Sequence, residues 1–131
     1  PLESPDSGVA EIKKLFEFFG AAAEGNASGR GCLLCNTAVE FGPEDPGGSG
    51  YVQDYFERIG NAFNSALKNA QSRSELKESV DTSKEAEFLT ATVLGLFVML
   101  RAKAPHTTIR SAVQVAKQHV EALCVKPSMR A

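Results

Sequence analysis

Tryptophan is absent from these 131 residues, and only three cysteines, two histidines, two tyrosines and two methionines are present. The lack of tryptophan excludes nothing by itself. Cys32, Cys35 and Cys124 are too few, and odd in number, for a disulfide scaffold; they fit a reducing cytoplasm. Runs of like charge and basic tails are also missing. The formal net charge of −2 offers no bulk attraction to nucleic acid. The longest apolar run, FLTATVLGLFVML from Phe88 to Leu100, spans roughly 20 Å as a helix at about 1.5 Å per residue, short of a bilayer core. It reads as a buried helix, and no membrane partner is expected. No secretory leader is visible in PLESPDSG. A first residue that is Pro rather than Met raises the expectation of a chain that starts partway into a longer protein.

What is present is ordinary globular composition, 43% apolar and 23% charged, in a length that supports one domain with a hydrophobic core. Residues 1–131 are read as that single domain, with 1–8 and 125–131 as loose ends. Five segments carry helical periodicity and none alternates like a strand, so the class is all-α. The first helix runs from about Gly8 to Glu24, with Val9, Ile12, Phe16, Phe19 and Ala23 on one face and Asp6 or Ser7 as cap. The second is GCLLCNTAVEFG, Gly31 to Gly42, closed by Gly42-Pro43. Its successor PEDPGGSG, rich in Pro and Gly, reads as a loop. The third helix, from about Gly50 to Ser72, places Val52, Tyr55, Phe56, Ile59, Phe63, Ala66, Leu67 and Ala70 on one side, with Gln53, Asp54, Glu57, Arg58, Asn61, Asn64 and Lys68 on the other. The fourth starts near Thr82, with Thr82 and Glu85 at capping-box spacing or Asp81 as cap, and stops before Pro105. The fifth is capped by Thr107 or Thr108 and buries a stripe from Ile109 to Leu123.

Chemistry-bearing constellations are thin. Cys32 and Cys35 have CxxC spacing, but no further ligands stand nearby and no strand precedes them, so they read as small apolar packing groups, with Cys35 facing a cavity. His106 and His119 have no catalytic partner in sequence, and Glu40 reads as a solvated helix-end charge. No nucleophile elbow, phosphate-cradling loop or apolar carboxylate pair is found. No catalytic residue, metal site or cofactor is expected, and the chain is not read as an enzyme.

The pieces GCLLCNTAVEFGPEDP, VQDYFERIGNAFNSALKNAQ, SELK and FLTATVLGLFVMLRAKAP resemble the C-terminal regulatory domain of TetR-type transcriptional regulators. One branch of that family opens a helix with G-C-L-L-x-N-T, continues through an acidic Pro loop into a long amphipathic helix, turns at G/S-E-L, and ends an apolar helix with R-A-x-A/G. Here those parts are Gly31–Thr37, Pro43–Pro46, Val52–Gln71, Ser74–Leu76 and Phe88–Ala104. The resemblance implies a cytoplasmic, homodimeric repressor. Its last two helices would form a four-helix bundle with a second copy. A small, mostly apolar effector would bind among the first four helices. Operator DNA would be read by an N-terminal helix-turn-helix domain that is not in this sequence. The first helix, Val9 to Glu24, would carry the displacement toward that domain.

The helical stripes nominate Phe16, Phe19, Cys35, Val39, Phe56, Ile59, Phe63, Phe88 and Thr92 as cavity residues. Thr37, Asn36 and Asn61, with Thr92, would orient a ligand. Val93, Leu96, Leu100, Ile109, Val113, Ala116 and Val120 are nominated for the dimer face, because a helix apolar on nearly all sides needs more cover than one small bundle supplies. Two other readings stand beside this one: a helical protein-interaction module with no cavity, and a thiol-based redox sensor using Cys32 and Cys35.

Overall fold

Four helices build the computed structural model, which describes residues 2–24 and 46–126; the expected helix at Gly31–Gly42 lies outside them. They are α1 (Val9–Glu24), α2 (Pro46–Ser72), α3 (Thr82–Arg101) and α4 (His106–Ala122). No strand occurs among the described residues, only an isolated bridge between Leu76 and Cys124.

Three helix starts depart from expectation for local reasons, whereas α3 opens at Thr82 after Asp81, one of the two caps expected. Gly8, rather than Asp6 or Ser7, caps α1. Its carbonyl accepts from the Ile12 amide, and its own N–H donates to Glu11 Oε1 at 2.8 Å, the return half of a capping box. PEDPGGSG is not loop throughout, because α2 begins at Pro46. Proline is well placed in a first helical turn, where its missing N–H would have no partner anyway. In α3 the cap is Asp81, whose side chain accepts from the Lys84 amide at 3.2 Å. Neither Thr107 nor Thr108 caps α4; both lie inside its first turn, which opens directly after Pro105 with no side-chain cap.

Helices α2 and α3 end alike. The Glu75 amide bonds to Ala70 O and the Ser74 amide to Gln71 O; in α3 the pairs are Ala104 to Met99 and Lys103 to Leu100. Each is a Schellman closure, which needs one residue in the left-handed region. Ser74 (φ 62°) and Lys103 (φ 57°) occupy those positions. The S-E-L and R-A-K-A motifs are therefore helix terminators. Beyond the first, the Gln71 amide group donates to the Lys77, Glu78 and Val80 carbonyls. The Lys77 amide reaches Leu123 O, and the Val125 amide reaches Glu75 O, which pins the turn to the segment after α4.

Helix α1 packs chiefly along α4, and α2 along α3. The α1–α4 register is visible in its ion pairs. Lys13 meets Glu121, Glu17 meets Lys117 and Glu24 meets Arg110, so one number rises as the other falls and the helices run antiparallel. At the centre sit Phe16, Phe19, Phe63, Leu67, Leu89, Leu96, Ile109 and Val120, all buried. Each such side chain contributes about 1.5–3 kcal/mol by leaving water.

The segment before α1 makes polar contacts with α2. Arg58 holds the Glu3 carboxylate with two donors at 2.9 and 2.7 Å. Asn69 donates to Pro5 O and Ser7 O, each at 3.0 Å, and Arg73 donates to Asp6 O at 3.1 Å. The lead-in to α1 is thus strapped onto α2.

Candidate functional site

Between α2 and α3 runs an open groove of about 480 Å³. Phe56, Glu57, Gly60, Asn61 and Asn64 form the α2 wall. They recur at three- and four-residue steps, on the flank of α2 beside its core stripe. Ser83, Ala86, Glu87, Thr90, Ala91 and Leu94 form the α3 wall on the same rule. The trench exists because the facing residues are small. Gly60 comes so near α3 that a Cβ there would lie 3.7 Å from Thr90 Oγ1. The Thr90 hydroxyl donates to Ala86 O at 2.7 Å. Asn64 Oδ1 is buried away from solvent without a hydrogen-bond partner.

The nominated cavity residues scatter. Phe16, Phe19 and Phe63 are wholly buried in the core, where Phe16 lies 6.5 Å from Phe63 and Phe19 meets Phe97 edge-on at 4.8 Å. Ile59 packs against that core, partly buried. Phe56, 41% exposed, is the one residue on the groove among the described residues nominated for the cavity wall. Phe88 stands at the α3–α4 junction, its ring 4.9 Å from that of His119, and Thr92 donates to Phe88 O at 2.9 Å on the same helix. Cys35, Val39, Thr37 and Asn36 lie outside the described residues, as does Cys32. Asn61 does line the groove.

The residues nominated for the dimer face point inward within the single chain. Val93, Leu96, Leu100, Ile109, Val113, Ala116 and Val120 are all buried by their own chain. The strongest apolar stripe of an amphipathic helix goes to the nearest core, which is intrachain. A weaker second stripe stays outside: Phe88 and Val98 on α3 and Val115 on α4 are 50%, 49% and 63% exposed. Glu85 and His119, with Nε2 to Oε1 at 2.9 Å, join the two helices beside it.

Among the described residues no three His, Cys, Asp or Glu side chains converge as a metal-binding group. No described helix is long and apolar enough to cross a membrane. Cys124 is a partly buried thiol whose Sγ donates to Val120 O at 3.6 Å.

Sequence comparison adds an independent line. Residues 8–116 match the family model described as tetracyclin repressor-like, C-terminal domain. A Bacillus subtilis (strain 168) protein named as the uncharacterized HTH-type transcriptional regulator YezE is 27% identical over 116 residues. That stretch is 88% of this chain and 60% of the relative, so the chain spans only part of the relative's length. No solved structure matches it.

Proposed function

Because this chain belongs to the tetracycline-repressor-like family through its C-terminal domain, we propose that it is the effector-binding and dimerisation part of a TetR-type repressor. The match over residues 8–116 carries the reading, and the α2–α3 groove gives it a place for a ligand. A small, mostly apolar molecule enters that groove and favours one arrangement of a homodimer over another. The operator, held by helix-turn-helix domains outside these residues, is then released. Only a difference in affinity between the two arrangements can do this, and ordinary coupling amounts to about 1–3 kcal/mol.

Helix α2 is the better candidate to carry the displacement. It forms one wall of the groove and, through Arg58, Asn69 and Arg73, grips the lead-in to α1. A shift of α2 moves residues 3–7 with it. The dimer is formed by the outer stripes of α3 and α4 rather than by their core stripes.

Ligand-dependent stabilisation tests this. A compound at a hundred times its dissociation constant raises stability by about 2.7 kcal/mol through mass action. The same compound should weaken operator binding by the full-length regulator. A screen in which no compound stabilises the chain would favour the interaction-module reading. Stabilisation with unchanged operator affinity would remove the effector role.

A further inference from the structure

The joint between the lead-in and α1 is built around a glycine. A Cβ on Gly8 would lie 2.2 Å from Arg73 Nη2 and 3.5 Å from Arg73 Cζ, so the guanidinium occupies the place of a side chain. Arg73 directly follows α2 and precedes the left-handed Ser74. Its Nη1 donates to Asp6 O at 3.1 Å and its Nη2 to Ser7 O at 3.5 Å, while its Nε lies 3.7 Å from Glu75 Oε1. The guanidinium thus bridges the lead-in and the turn that closes α2. Asn69 adds a second donor to Ser7 O. These groups grip backbone carbonyls, so they fix the path of the chain itself. Ser7 is buried even though its hydroxyl has no partner, which marks a joint held by its surroundings. The outer Glu3–Arg58 pair is more than half exposed on both sides and open to screening by salt. Closure of the helix does not itself need the arginine. The like closure of α3, at Lys103 and Ala104, carries Ala102 at the corresponding place.

We propose that Arg73 and Gly8 form a clasp that makes the lead-in and the C-terminal end of α2 move as one body, so that α2 sets the direction of the chain toward the DNA-binding domain. A planar fork seated against a glycine has one geometry, which the point charge of a lysine does not reproduce. Arg73 is a positioning residue on this account. The inference rests on the repressor reading and names the contact through which its regulation passes.

The obstacle to a Cβ is the tip of a flexible side chain, so Gly8→Ala should evict the guanidinium and leave the core folded. Arg73→Lys opens the clasp from the other side without touching the cap of α1. Amide hydrogen exchange of the intact chain reads the result. In each variant the Ser7 and Glu75 amides should exchange on the order of tenfold faster, while the Ala104 amide, in the closure without a clasp, should keep its rate. Unchanged Ser7 protection in both variants would overturn the clasp. The full-length regulator reads the coupling, with a duplex selected from random-sequence DNA by the wild type. Both variants should bind that duplex about tenfold more weakly, because a loosened joint no longer preorganises the DNA-binding domains, and should sediment as the wild type does. Wild-type affinity despite faster exchange would overturn the coupling and leave Arg73 with a local structural role. A wild-type regulator that selects no duplex would overturn the repressor reading itself, a failure that the exchange measurement does not share.

Discussion

At the scale of single residues, the structure contains groups that oppose folding. Ser7 is 1% exposed and its hydroxyl has no partner, so a polar group has lost its water and gained nothing. Ser7→Ala should therefore raise stability by about 1 kcal/mol, read as a higher urea midpoint with unchanged slope. A lower midpoint would mean that the hydroxyl is satisfied in solution. Ser74 and Lys103 hold left-handed backbone that a Cβ disfavours. Ser74→Gly and Lys103→Gly should each stabilise by up to roughly 1 kcal/mol, and the two should add because they close different helices. The aromatic residues divide the same way. Phe63→Ala empties a fully buried site and should cost about 3–5 kcal/mol. Phe56→Ala, at the groove, should cost far less and should appear instead as lost ligand affinity. Equal destabilisation by the two would place Phe56 in the core.

At the scale of helices, the exposed ion pairs along α1 and α4 set register more than stability. Salt screens such pairs, and desolvation is slight. They do leave a pH signature. Lys13 holds the Glu121 carboxyl below its ordinary value, chiefly by its hydrogen bond; the Gly8 amide does the same for Glu11, and Arg58 for Glu3. A carboxyl whose folded value is depressed binds fewer protons folded than unfolded near that value. Its contribution is present above the ordinary carboxylate range and is lost as pH falls through the folded value. Stability should thus be flat near neutrality and decline from about pH 4.5 downward. The Glu3→Gln, Glu11→Gln and Glu121→Gln triple variant should decline less steeply, as urea titrations across that window would show. An unchanged slope would assign acid unfolding to other groups. Sequence periodicity located α1, α2, α3 and α4 because burial enforces it, and the stripe Ile12–Phe16–Phe19 is buried as expected. Periodicity names a face without naming what covers it. Val93 and Val113 were therefore read toward a second copy, and Phe16 and Phe63 toward a ligand, when each meets its own chain. The groove was obscure for a related reason. Its α2 wall carries Glu57, Asn61 and Asn64, and in sequence such a flank looks like any solvated face.

At the scale of the whole molecule, the question is what lies against α3 and α4 on the side away from the core. Phe88, Val98 and Val115 keep about half or more of their surface in water, and wetting such side chains forfeits part of the roughly 1.5–3 kcal/mol each could contribute. Gly95 lies on the same side of α3. A Cβ added there would meet nothing within 4 Å among the described residues, so no contact with them accounts for a residue that costs a helix about 1 kcal/mol against Ala. A second copy whose backbone approaches at Gly95 accounts for both observations, since two such faces related by a two-fold axis cover each other. The two cases separate cleanly. If the chain is a dimer through this face, Val98→Asp and Val115→Asp should each give a folded monomer in sedimentation velocity at micromolar concentration, because neither side chain belongs to the core. Gly95→Ala should then weaken the dimer. If the face is simply wet, Gly95→Ala should stabilise by about 1 kcal/mol at every protein concentration, and the Asp variants should change nothing. A wild-type chain that sediments as a monomer at those concentrations would leave the outer stripe of α3 and α4 without its partner and remove dimerisation from the proposed function.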